Sequence, residues 1–141
     1  MNLARDTGAR QVVRFSAVEG EFAVDVTAAV EVMTADRIAP LPDPAPGVVG
    51  VVQRRGIAVP VIAMFGSRPG PDGRHVLIVD RGASLVGLLV GRVHAVTTVD
   101  ARRLSPAPGG QHGALVEAVM VEPGGMIMLI DPRHLPVGGP A

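Results

Sequence analysis

The side chains that could do chemistry in this chain are few, and their spacing favours recognition over catalysis. The four histidines, His75, His94, His112 and His134, stand far apart, and none has a second ligand at metal-site spacing. Each reads as a surface or strand-end residue. Ser16, Ser67, Ser84 and Ser105 lie in no G-x-S-x-G context, so a nucleophile elbow has no support. Glu19 and Glu21 flank a turn, where two carboxylates keep the turn soluble. The pairs Gly109-Gly110 and Gly124-Gly125 do not build a dinucleotide fingerprint and read as turn residues. What is left is Gln53-Arg54-Arg55-Gly56, two guanidinium groups beside a glycine. A guanidinium presents a planar fork of donors that fits carboxylates and carbonyls, which a lysine cannot copy. From the tip alone, the two arginines read as a solvated turn or as a binding fork.

Whatever those arginines do, the stretch from Gly47 to Phe65 must position them. Two apolar, valine-rich arms flank the polar tip, and Gly56 supplies the backbone freedom of a tight reversal, so the segment predicts a β-hairpin. Pro60 cannot donate a ladder hydrogen bond, which places it at a sheet edge, a bulge or a barrel corner. Further strands are predicted near 11 to 18, 21 to 26, 75 to 80, 84 to 91, 93 to 99, 114 to 121 and 126 to 131, with the hairpin arms at 48 to 53 and 57 to 65. Many short strands separated by Gly, Pro and Asp turns indicate an all-β barrel or sandwich. Val26 to Met33 predicts a short helix, with Asp25 or Thr27 at its start. Pro40, Pro42, Pro44 and Pro46 then predict a stiff, extended strap. Ser67 to Gly73 and Pro106 to Gly113 read as mobile loops, and residues 1–10 and 137–141 as flexible tails. The strand clusters on either side of the first loop suggest two halves.

Composition narrows the function classes. A chain of 141 residues is one domain's worth and buries roughly 68% of its unfolded surface, so neither disulfides nor a metal is needed to hold it. There is no cysteine. All 13 basic side chains are arginine and balance 13 acidic ones, which argues against binding nucleic acid. Three Phe, no Tyr and no Trp argue against stacked single strands and against sugars. With 48% apolar and 18% charged residues, part of the apolar surface is expected to bind other proteins. The first ten residues lack the apolar run of a signal peptide, and no stretch approaches the roughly 20 apolar residues of a membrane span. A cytoplasmic protein without direct membrane insertion is expected, and no cofactor.

The order of the segments adds a resemblance. A strand, the Val30-Glu31-Val32 segment, the Leu41-Pro42 strap, Gly47-Val48 leading to Arg55-Gly56, and Val59-Pro60-Val61-Ile62 resemble the CheW family of chemotaxis coupling proteins. The likeness continues through His75 to Val79, Leu85 to Val90, Val93 to Val96 and Ser105 to Pro108, and closes with Met126 to Asp131 and Leu135, covering residues 11 to 136. It implies a single domain of two five-stranded β-barrel subdomains that exchange strands, with one or two short helices. It also implies a non-catalytic adaptor that binds the cytoplasmic tip of a chemoreceptor and the regulatory domain of the histidine kinase CheA.

Residue by residue, the family's receptor-contacting arginine falls on Arg55, just before Gly56, and an acidic position near it falls on Glu31. Glu31 is then expected to orient Arg55 or to meet a receptor cation, with Arg54 as an accessory. An apolar wall is expected from Val76, Val86, Val93 and Ala29, the alternative for the valines being plain barrel core. The chain departs from the family's pattern in three places. Gln53-Arg54-Arg55-Gly56 replaces the frequent Asn-Leu-Arg-Gly, Ala63 stands where an acidic residue is common, and Gly91-Arg92 replaces Val-Asp-Gly. Two alternatives remain beside the adaptor: a diverged relative that binds only one of the partners in another signalling pathway, and an oligonucleotide-binding barrel.

Overall fold

The structure is a computed structural model and describes residues 8–63, 74–107 and 113–136. The expected tails at 1–7 and 137–141, the Ser67 to Gly73 loop and the 108–112 part of the second loop lie outside the described residues.

The described residues form eleven strands in two sheets. The first two, β1 (Ala9–Ala17) and β2 (Gly20–Asp25), form an antiparallel hairpin in which Phe15 lies opposite Phe22. The expected tail is thus shorter than residues 1–10. Ala9 already pairs with Asp100, and the Arg10 guanidinium lies 3.4 Å from Asp25 and 3.5 Å from Glu117.

The helix expected over Val26 to Met33 does not form. Asp25 accepts hydrogen bonds from the Thr27 backbone N–H at 3.0 Å and from its hydroxyl at 2.7 Å, which starts a single 3-10 turn, Val26–Ala28. The chain then straightens into β3 (Ala29–Thr34). Branched Val30 and Val32 suit a strand better than a helix, and antiparallel pairing with β6 (His75–Asp80) satisfies the backbone.

The hairpin read from Gly47 to Phe65 is β4 (Val48–Arg54) and β5 (Ile57–Ile62). After β6 come β7 (Leu85–Val90) and β8 (Arg92–Asp100), then a two-residue β9 (Ser105–Pro106), β10 (Val116–Glu122) and β11 (Gly125–Ile130). One sheet runs β8-β1-β2-β11-β10-β9 and the other β3-β6-β7-β5-β4.

Each sheet joins two hairpins through a short parallel pair, β2 with β11 in the first and β5 with β7 in the second. Each sheet, six-stranded in the first case and five-stranded in the second, also takes one exchanged strand. The chain leaves the first sheet after β2 to lay β3 along β6, and leaves the second after β7 to lay β8 along β1. Gly91 marks the return crossing, its N–H bound to the Ser16 carbonyl at 2.9 Å. This is the two-subdomain, strand-exchanged β fold that the resemblance implied. The helical content is short 3-10 turns, and neither sheet closes its ladder fully.

Three apolar clusters follow from this layout. Val12, Ala23, Val99, Met120, Ile127 and Leu129 fill the first subdomain, and Val52, Val59, Val61, Val76, Ile78 and Leu89 fill the second. The largest lies between them and draws on both sheets, with Phe15, Phe22 and Val24 from one and Leu77, Val86 and Leu88 from the other. The two phenyl rings stack there at 5.6 Å between centroids.

The segment that follows β11 is locked into that central core. Buried Asp131 accepts from the Arg133 N–H at 3.0 Å and from the Arg133 guanidinium at 2.7 Å, capping a 3-10 turn, Pro132–His134. The turn seats Leu135 in the core, and Arg81 of the second subdomain binds the Leu135 carbonyl at 2.7 Å. The hydrogen bonds from Arg133 hold the Asp131 carboxyl below its ordinary pKa. A lowered folded-state pKa contributes stability above the unfolded value, lost as pH falls through the folded one. Asp131→Asn is therefore expected to cost about 1–2 kcal/mol at neutral pH, as the loss of a cap does. In urea unfolding, the gap from wild type should shrink below about pH 4, where the unfolded carboxyl is protonated. A gap that is the same at pH 3 and pH 7 would show that the charge of Asp131 contributes nothing.

The second sheet curls until its two edge strands approach. Just past β3, Ala39 exchanges backbone hydrogen bonds of 2.8 and 2.9 Å with Val51 of β4. Gly50 permits this. It sits at φ 155, and a Cβ there would lie 2.4 Å from the Ala39 carbonyl oxygen. Gly50→Ala is expected to lose about 2–3 kcal/mol, because both the backbone conformation and the contact turn unfavourable. The check is a lower urea midpoint at unchanged slope. An unshifted midpoint would mean that the seam opens without cost.

Candidate docking surface

The hairpin tip consists of two residues, Arg55 at φ 51 and Gly56 at φ 79, between the paired Arg54 and Ile57. Positive φ at both positions is the type I′ geometry that matches the twist of the arms. Glycine adopts it freely, whereas arginine at positive φ is uncommon and costs about 1–2 kcal/mol. Arg55 is exposed, and nothing lies within 4 Å of where a Cβ on Gly56 would stand, so a partner can approach the tip closely.

Glu31 does reach this hairpin, but its partner is Arg54. The Arg54 Nε donates to the Glu31 carboxylate at 2.9 Å. The expected orienting contact with Arg55 is absent because Arg54 takes the carboxylate. Glu31 lies on strand β3 and not on a helix.

The expected apolar wall is divided. Val76 and Val86 are both 0% exposed, the first inside the second subdomain and the second in the central core. Neither side chain can touch an arriving partner. Val93 and Ala29 are partly buried and pack against the central core, Val93 opposite Phe15 and Ala29 opposite Val79.

A different apolar surface stands beside the tip. Ile57, Ala58, Val59, Pro60, Ser84 and Leu85 line an open groove of about 370 Å³. Ile57 is 62% exposed. The signal for it was in the alternation. Ile57, Val59 and Val61 share a strand face, and at the tip end that face runs past the core. Pro60 fits here because the β5–β7 ladder begins only at Val61, so its missing N–H is not needed.

One cluster has the ingredients of a catalytic triad without its arrangement. The Ser16 hydroxyl lies 2.8 Å from His94 Nε2, and Glu21 approaches the same nitrogen at 3.7 Å. A triad needs nucleophile and carboxylate on opposite ring nitrogens, one giving and one taking the proton. Here the imidazole has no path between them. Glu21 and Glu122 also flank Arg14, at 3.6 and 3.2 Å, which makes the cluster an ion-pair network across β1, β2, β8 and β10. Among the described residues no three His, Cys, Asp or Glu side chains are placed to hold a metal. No described helix is long and apolar enough to cross a membrane.

Comparison with known proteins agrees with this architecture. The CheW-like domain family matches residues 11–136. A relative from Rhizobium meliloti (strain 1021), named chemotaxis protein CheW, is 32% identical over 133 residues, covering 88% of this chain and 85% of the relative. The crystal structure of the scaffolding protein TtCheW from Thermoanaerobacter tengcongensis superposes with a TM-score of 0.74 at 27% identity, covering 86% of this chain and 88% of that one. With two exchanged sheets, an Arg-Gly hairpin tip and a family match across nearly its whole length, the chain belongs to the CheW-like domain family.

Proposed function

We propose that the protein is a non-catalytic adaptor that couples chemoreceptors to the histidine kinase CheA, working in the cytoplasm at receptor arrays and reaching the membrane only through its partners. The observation that carries this reading is Arg55, an exposed cation held at φ 51 on the tip of an ordered hairpin, at the position where the family contacts the receptor. The apolar groove beside it suits one side of an amphipathic helix, whose anchors repeat every turn. Receptor state and kinase activity then become coupled equilibria, since both partners bind one rigid body.

Calorimetry with a receptor tip fragment and with the CheA regulatory domain, each alone, tests the proposal. Binding to both is the expected result. Binding to one alone would identify the diverged adaptor. Binding to neither would overturn the adaptor reading.

A further inference from the structure

We propose that the two arginines at the hairpin tip divide the work. Arg54 is a positioning residue that latches the tip across the open seam of the second sheet, and Arg55 is the guanidinium left for the partner. The proposal rests on the adaptor reading for its binding half and on geometry alone for its latch half.

The sheet order places β3 and β4 at opposite edges, so a contact between them reports how far the sheet has curled. Among the described residues, two polar links span the gap. One is the backbone exchange between Ala39 and Val51, and the other, three residues further towards the tip, is the Arg54–Glu31 ion pair at 2.9 Å. Among the described residues no other side-chain ion pair joins these edges. Without it, no ion pair among the described residues would tie the last turn of the hairpin to the facing edge, and an isolated two-stranded hairpin is marginally stable.

Exposure assigns the roles. The Arg54 side chain is 21% exposed, with its charge compensated, whereas Arg55 is exposed. Glu31 thereby leaves one positive charge at the tip without an ion-pair partner among the described residues, on the exposed residue held at φ 51 in the turn.

The test uses the full chain and three variants, E31Q, R54Q and the charge-exchanged E31R/R54E. Hydrogen–deuterium exchange is read at the amides of residues 53–57, and calorimetry with the receptor tip fragment. A partly exposed ion pair is a modest force, so each single change is expected to speed tip exchange and weaken fragment binding by about three- to five-fold. The exchanged pair should return both to within about two-fold of wild type. Exchange at the wild-type rate in both single variants would overturn the latch. A binding loss beyond about ten-fold that the exchanged pair does not recover would also overturn the division, by making Arg54 or Glu31 a direct contact. If the wild-type protein bound no receptor fragment, the adaptor reading would fail, while the exchange rates would still decide whether the latch exists.

Discussion

Arg55→Glu is expected to weaken binding of a receptor tip fragment by at least about thirty-fold, equivalent to about 2 kcal/mol, while binding of the kinase regulatory domain and the urea midpoint stay near wild type. The stability half follows from the site. Arg55 is exposed in the turn, so reversing its charge removes no packing, and the nearby Glu31 is already committed to Arg54. The binding half follows from charge and shape. A fork of donors at the outermost point of the hairpin is replaced by an acceptor that repels the carboxylates and carbonyls a guanidinium would hold.

A companion variant sharpens the argument. Arg55→Asn is expected to raise stability by about 0.5–1 kcal/mol, because Asn tolerates positive φ, and still to lose receptor binding. Stability and binding moving in opposite directions would mean that the arginine is kept against the preference of its own backbone. Strain retained at a site is a reason to look for function there. Equal loss of both partners in Arg55→Glu, or a lowered midpoint, would show that the residue supports the fold and not the interface.

Much of the fold was legible because strand signals are local. Valine-rich runs bounded by Gly, Pro and Asp located nine of the eleven strands, including both arms of the tip hairpin and the strand on each side of Gly91. The two that escaped are informative. In β3 the alanines of Val26 to Ala29 and an Asp cap mimic a helix start, and only the free edge of β6, far away in sequence, turns the segment into a strand. In β9 two residues, one of them proline, pair with β10, which no periodicity can announce.

The hairpin tip was legible, and what packs beside it was not. That Arg55 and Gly56 form the tip follows from the turn chemistry of the hairpin. The partner of Glu31 was not, because the choice between Arg54 and Arg55 depends on how far the sheet curls, a long-range property. The valines stayed open between groove wall and barrel core for a related reason. A strand buried on both faces shows no alternation, so a groove-lining valine and a core valine look alike in sequence. Val76 and Val86 belong to such strands, and two clusters, not one, take up their side chains.

The largest stability effect is expected from Val86→Asp. Val86 is 0% exposed and sits in the central cluster between the two subdomains, beside Leu88 on the same strand and with Phe15 and Phe22 from the opposite sheet. No described cation is available there to pair with a new carboxylate, and an uncompensated buried charge costs about 3–5 kcal/mol, a large part of the stability of a domain this size. The variant is expected to be largely unfolded by circular dichroism and to lose both partners together, unlike Arg55→Glu, which loses one. Because the exchanged strands β3 and β8 tie each subdomain to the other, loss of the central cluster should take both sheets in a single transition. A folded Val86→Asp with a wild-type midpoint would mean that this valine faces an accessible groove after all, and the docking surface would then lie between the subdomains instead of at the hairpin tip.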